Sequence, residues 1–232
     1  MKSRGGGTKG RRDEGTEGRR DEGAQSNPQS AIPNPQSSIV NRQSARGDVR
    51  KNVVLIGYRG CGKTTVGRLL ADRLSVGFVD TDERIAAQAG TSIAEIFASE
   101  GEAGFRQRES RVIAEVAAPQ PTDSSVAAVI SVGGGAVLSD DNMDCLRRGG
   151  RVVWLTCSPE VLHERIVSDP SSPPSRPALT ARGGLEEVRS VLGTREPYYR
   201  KWADLEVSTD HRSPEAVAAD IVAWLHATSS NP

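Results

Sequence analysis

The eight residues from Gly57 to Thr64, GYRGCGKT, constrain this chain more than any other stretch of it. They fit the pattern GxxxxGK[ST], follow an apolar run at residues 53–56 that reads as a strand, and lead into a stretch of helical periodicity. Glycines at 57, 60 and 62 let backbone N–H groups converge on phosphate oxygens, and the helix that follows adds the positive end of its dipole. Gly60, Cys61 and Gly62 form the candidate cradle. Lys63 is suited to neutralising the β and γ phosphates of a nucleotide, Thr64 to bringing a hydroxyl to Mg2+, and Thr65 to donating to a phosphate. An ordinary glycine-rich turn does not carry a strand, a lysine, a threonine and a helix in that order. Cys61 reads as a small residue that fits the loop; the alternative is a thiol whose pKa the helix N-terminus lowers.

The chain has 232 residues, but its beginning is not core material. Up to Val49 the apolar side chains beyond alanine are Met1, Ile32, Ile39, Val40 and Val49, too few to offset the entropy of ordering the segment. The hexapeptide GRRDEG begins at Gly10 and again at Gly18, and NPQSAIP, NPQSSIV and NRQSARG begin at Asn27, Asn34 and Asn41. Tandem repeats this short are low complexity, and Pro28, Pro33 and Pro35 interrupt any helix, so residues 1–49 are expected to be a disordered tail. A transit peptide conflicts with Asp13, Glu14, Glu17, Asp21 and Glu22. A second expectation is that the repeats are translated upstream DNA and the natural chain starts near Val49, which a peptide from residues 10–25 in the native protein would exclude. About 180 residues remain, enough for one domain.

From Asn52 onward, short apolar runs alternate with helical stretches, the pattern of βαβ units around a parallel sheet. The expected strands are residues 53–56, 78–80, 126–132, 152–156 and 205–207. Ser92 with Glu95 makes a capping box, and Ser158-Pro159 and Ser213-Pro214 put proline at the first helical position. Five strands wrapped by helices make a three-layer α/β/α sandwich.

Lys plus Arg equals Asp plus Glu, 30 each, so no basic excess points to nucleic acid. There is no run of apolar residues long enough to span a membrane and no apolar segment of a secretory signal at the N-terminus, which leads to the expectation of a soluble, cytoplasmic protein. The three cysteines, Cys61, Cys145 and Cys157, lack metal-type spacing and read as reduced thiols; a zinc site is not expected. The three tryptophans read as packing residues, and the three histidines show no ligand or triad spacing.

A phosphate loop specifies a nucleotide, not the acceptor, so the acceptor must be read elsewhere. FVDTDERI sets Asp80 and Asp82 two apart; in an extended segment both would face the loop, one serving the metal and the other the acceptor. GEAGFRQRE puts Arg106 and Glu109 on one helix face, SVGGGAV runs a strand into Gly133, Gly134 and Gly135, SRPAL follows a Pro- and Ser-rich loop, and TREPYY contains Arg195. Singly, each has a bland reading: a helix cap, a surface ion pair, a plain turn.

Together, in this order, the motifs resemble the shikimate kinase family over nearly everything from Val53 to Leu225. The resemblance implies a parallel sheet ordered 2-3-1-4-5, a mobile lid at about 166–183 within a domain of residues 50–230, and a monomer. It also implies phosphorylation of shikimate by Mg-ATP to 3-phosphoshikimate, on the route to chorismate and the aromatic amino acids, by direct in-line transfer without a phosphoenzyme. Shikimate presents a carboxylate and three hydroxyls, which call for cations at one end and acceptors at the other. By resemblance Asp82 holds the ring hydroxyls and is the candidate base, Arg106 and Arg195 take the carboxylate, Glu109 orients the arginines, and the three glycines bring backbone close to the ring. Asp80 and Ser131 resemble groups that position Mg2+ through water. Adenine would rest between Arg165 and the segment Arg212 to Pro214, and Arg176 would be the lid arginine. The lid departs from the family: IVSDPSSPPS before Arg176 is longer than usual, Ala178 stands where leucine is usual, and Arg182 is the competitor for the arginine's role. Two other readings stay open, a kinase for another polyol acid such as gluconate and a nucleotide-binding regulatory protein.

Overall fold

The strand that precedes the phosphate loop is buried on both faces, and the rest of the architecture follows from that. In the computed structural model, which describes residues 51–118, 126–169 and 184–229, β1 (Lys51–Ile56) is buried at every position after Lys51. Val53 and Leu55 enter one apolar cluster and Val54 and Ile56 a second, as the two-residue period of a strand requires. Fully burying side chains of this size contributes roughly 1.5–3 kcal/mol each, so a strand of this composition is driven to the centre of a sheet with helices over both faces.

The other strands are β2 (Gly77–Asp80), β3 (Val126–Ser131), β4 (Gly150–Thr156) and β5 (Leu205–Ser208). All pair in parallel in the order β2-β3-β1-β4-β5, the order that the resemblance implied. The helices are α1 (Lys63–Leu74), α2 (Thr81–Ala89), α3 (Ile93–Ala117), α4 (Asp140–Gly149), α5 (Pro159–Ser168), α6 (Gly184–Trp202) and α7 (Pro214–Ser229). The first cluster, with Leu70 and Ala71 of α1 and Val217 and Ile221 of α7, covers one face of the sheet. The second, with Ile113 of α3, Met143 of α4 and Tyr199 and Trp202 of α6, covers the other. All described residues lie in one compact unit, Arg46–Pro232. Among them no helix is long and apolar enough to cross a membrane.

The expected caps are present. Ser92 accepts from Glu95 N and Glu95 accepts from Ser92 N, closing the capping box at α3, and Pro159 and Pro214 open α5 and α7. One expectation is overturned: Asp82 is not in an extended segment. The Oδ1 of Asp80 accepts from the backbone N of Asp82 at 3.0 Å and of Glu83 at 3.5 Å, which starts α2 at Thr81 and puts Asp82 in its first turn. The strand's alternation therefore does not reach Asp82. A second feature had no expectation attached: α3 is broken at Gly101, whose φ of 70° and ψ of −174° separate the helix of the capping box from the one that carries Arg106.

Register decides where the chemistry collects. Ser131 pairs with Leu55 of β1 on one side and with Asp80 of β2 on the other. The ends of three adjacent strands are level, so the phosphate loop, the Asp80–Asp82 turn and the triglycine loop leave the sheet side by side. That is the crevice beyond the carboxyl ends of the strands where chain direction diverges, the ligand-binding place of open α/β sheets.

Candidate active site

The phosphate loop runs from β1 into α1 with Gly57, Gly60 and Gly62 at φ of 142°, 80° and 92°, conformations that other residues adopt only with strain. At Gly57 even space would forbid a side chain, since a Cβ would lie 2.5 Å from Leu155 O and 2.8 Å from Cys61 Sγ. Lys63 folds its Nζ back to Gly57 O at 2.9 Å and Tyr58 O at 3.0 Å, so the ammonium sits within the loop. Cys61 is fully buried in the core beneath it, as a residue chosen for fit.

Thr64, in the first turn of α1, donates its hydroxyl to Oδ2 of Asp80 at 3.0 Å. Asp80 therefore serves two elements, one oxygen capping α2 and the other facing the loop. A hydroxyl and a carboxylate are hard oxygen donors, and Mg2+ takes one or two such protein groups with phosphate oxygens and water completing its shell, so this pair fits that ion. Among the described residues no group of three or more His, Cys, Asp or Glu could hold a metal by itself.

On the acceptor side, Thr81 is fully buried and its Oγ1 accepts from Gly133 N at 3.2 Å, tying α2 to the triglycine loop. Packing there is tight. A Cβ on Gly133 would fall 2.8 Å from Asp82 Oδ1 and 3.2 Å from Glu109 Oε1, and one on Gly135 would fall 2.6 Å from Arg106 Nη2. Arg106 donates through Nη1 to Glu109 Oε2 at 2.7 Å and through Nη2 to Glu102 Oε1 at 3.3 Å, so Arg106 and Glu109 do share a helix face. Burial pushes the Glu109 carboxyl up from its ordinary value; the Arg106 guanidinium opposes this, and the nearby Asp82 carboxylate adds to it. Arg195 donates to Gly134 O at 3.2 Å, and the same carbonyl accepts from the Tyr199 hydroxyl at 2.7 Å.

A cavity of about 940 Å³ joins these parts. Gly60 to Thr65, Asp80, Asp82, Ser131, Gly133 and Gly134 line it, as do Arg165, Arg212 and Pro214 at the expected adenine end. Arg165 is anchored there by donating to Thr209 O at 2.9 Å and Thr209 Oγ1 at 3.2 Å, and Arg212 pairs with Asp220 at 2.7 Å. Arg106, Gly135 and Arg195 are not on the cavity wall; Gly135 ends the triglycine loop, and the two arginines stand against that loop. Arg176 and Arg182 lie outside the described residues, as do residues 1–49 and most of the expected lid, of which 166–168 complete α5.

Comparison with known proteins settles the family. The profile of a family described as shikimate kinase matches residues 59–226. A shikimate kinase of Symbiobacterium thermophilum is 44% identical over 171 residues, which cover 74% of this chain and 94% of that protein. The chain belongs to the shikimate kinase family. A shikimate kinase of Rhodopirellula baltica is 42% identical over 173 residues, covering 74% of this chain and 89% of that protein. Among solved structures, a shikimate kinase from Acinetobacter baumannii in complex with shikimate matches with a TM-score of 0.69 at 32% identity, over 78% of this chain and 96% of that one. A gluconokinase from Sinorhizobium meliloti matches with a TM-score of 0.51 at 18% identity, a likeness of fold alone.

Against this shikimate kinase frame, sequence reasoning passed over Thr81, Tyr199 and Thr209, which hold Gly133, Gly134 and Arg165 in place. Their signal was present but quiet. Each is a polar residue inside or beside a motif that was read for another residue.

Proposed function

We propose that this shikimate kinase family member transfers the γ-phosphoryl group of ATP directly to a ring hydroxyl of shikimate, giving 3-phosphoshikimate on the route to chorismate, as a cytoplasmic monomer. The observation that supports this most is the single cavity that has Lys63 and Thr64 on its wall together with Asp82, Gly133 and Gly134. A phosphoryl donor and an acceptor hydroxyl can meet there without a covalent enzyme intermediate.

In this reading Lys63 exchanges the carbonyls of Gly57 and Tyr58 for phosphate oxygens, trading neutral acceptors for a charge-assisted bond. The backbone of Gly60, Cys61 and Gly62 and the hydroxyl of Thr65 hold the other phosphate oxygens. Thr64, and Asp80 through water, hold Mg2+, whose chemistry is to neutralise charge on the phosphates. Asp82 holds the ring hydroxyl and accepts its proton, Gly133, Gly134 and Gly135 lie along the ring, and Arg106 and Arg195 take the carboxylate. Arg165, Arg212 and Pro214 hold adenine. Arg176 is the family's lid arginine and supplies a further cation to the transferring group. Residues 1–49 are a tail outside the catalytic domain of 50–230.

The test is ADP release measured with shikimate, with gluconate and with no acceptor. Release that requires shikimate supports the reading. Equal release with gluconate overturns the acceptor, and ATP binding without acceptor-dependent release overturns the activity.

A further inference from the structure

The pattern GxxxxGK[ST] asks nothing of its third residue, yet here that residue is Arg59, and its guanidinium is not left to solvent. Its Nη2 lies 3.1 Å from Oε1 of Glu187, with side-chain exposures of 25% for the arginine and 2% for the glutamate. A carboxylate buried that completely is tolerated only with a cation and hydrogen bonds around it, so Arg59 and Glu187 are a joint rather than a surface ornament.

The joint connects the phosphate loop to the helix that carries Arg195. Glu187 is in the first turn of α6, and Arg195 is eight residues further on, about 12 Å at the rise of an α-helix. Between the two contacts lies Tyr58, whose buried ring has the Arg59 guanidinium on one contact and the Arg195 guanidinium on another, each 6.0 Å from its centroid. The backbone also closes up here: a Cβ on Gly134 would lie 3.2 Å from Gly57 O and 3.6 Å from Arg59 N. Helix α6 is thus docked at one end by Glu187 on Arg59 and further along by Arg195 and Tyr199 on Gly134 O.

We propose that Arg59 is a positioning residue for the acceptor: through Glu187 it sets the seating of α6, and with it the guanidinium of Arg195 that meets the acceptor's carboxylate. The inference rests on the reading of Arg195 given above. Arg59 itself stands on the cavity wall beside Gly60, and in this role it acts on the acceptor through Glu187 and α6. Its loss removes the 3.1 Å contact between the loop and Glu187 and so loosens the docking of the first turn of α6. The damage falls on acceptor recognition, while Lys63 and the loop backbone still hold the nucleotide.

The test compares Arg59→Ala, Glu187→Gln, the double variant and Arg195→Ala in the full chain, with KM for shikimate and for ATP, kcat, and affinity for a shikimate analogue without the carboxylate. Glu187→Gln keeps the side chain's volume and removes the buried charge, so the pair remains testable if Arg59→Ala folds poorly. Arg59→Ala and Glu187→Gln are each expected to raise the shikimate KM about tenfold with the ATP KM changed less than about twofold, and the double variant is expected to be no worse than the poorer single one. The carboxylate-free analogue is expected to bind all variants alike. A shikimate KM within about twofold of wild type in both single variants overturns the proposal, as do fully additive losses or an equal rise in the ATP KM. If Arg195→Ala alone raises the shikimate KM, the coupling is wrong and the site reading stands. If Arg195→Ala has no effect either, the site reading itself is wrong.

Discussion

The hydroxyl of Thr64 and the Oδ2 of Asp80, 3.0 Å apart, join the first turn of α1 to the end of β2. The other carboxylate oxygen of Asp80 caps α2. One residue thereby sets the spacing between the phosphate loop and the helix that carries Asp82. The two duties separate by substitution. Asp80→Asn keeps a capping side chain but loses the charge, and it should leave the thermal midpoint nearly unchanged while raising the Mg2+ concentration for half-maximal turnover roughly 10- to 100-fold. Asp80→Ala should show the same Mg2+ defect and also lose about 1 kcal/mol of stability. Mg2+ titration of ADP release and thermal melts check both.

The triglycine loop makes a steric prediction. A methyl group on Gly135 meets Arg106 Nη2 at 2.6 Å, and the guanidinium must move aside. Gly135→Ala should raise the shikimate KM about tenfold with the ATP KM changed less than about twofold. Gly193, inside α6, has nothing within 4 Å of its would-be Cβ, so Gly193→Ala should stabilise the fold by roughly 0.5–1 kcal/mol. Steady-state kinetics and melts on both variants make the comparison.

Glu109 links pH to stability. Its folded pKa is raised above the ordinary value of 4.5, chiefly by burial, so the folded state holds that proton more tightly than the unfolded state. The contribution is full below the ordinary value and is lost as pH rises through the raised one. Glu109→Gln cannot titrate, and the stability of wild type relative to this variant should decline as pH rises from below the ordinary carboxylate value of 4.5 through the raised one. Urea unfolding of both proteins across that range measures it, and parallel pH curves would contradict it.

The cysteines differ in reactivity by position. Burial, helped by its hydrogen bond to Asp210 at 3.1 Å, pushes the Cys157 thiol up to about 12, which suppresses the nucleophilic thiolate. Cys61 is fully buried, whereas Cys145 is half-buried on α4. Iodoacetamide at about pH 8 should modify Cys145 first in the native protein and reach Cys61 and Cys157 only on unfolding, as read by peptide mass spectrometry.

What the amino-acid sequence determined by itself was whatever depends on neighbours a few residues apart. The glycine spacing from Gly57 to Gly62 determines a loop that only such φ values allow, Ser92 and Glu95 close a capping box three residues wide, and Val53 to Ile56 are apolar on both faces and so must be central. The family motifs extended this to the strand order, and they are the ground on which Asp82, Arg106 and Arg195 are proposed for the acceptor. Tertiary structure alone decided how these pieces meet. The start of α2 was a local matter by contrast: Asp80 caps the helix from two residues away, the alternative that the sequence also offered for this pair, because its side chain captures backbone N–H groups that strand alternation ignores. The contacts of Thr81 with Gly133, 52 residues away, and of Arg59 with Glu187, 128 residues away, arise because β1, β2 and β3 end level in one sheet and α6 packs across that edge. Register and packing bring such residues together by burying apolar area elsewhere, and no spacing along the chain records it.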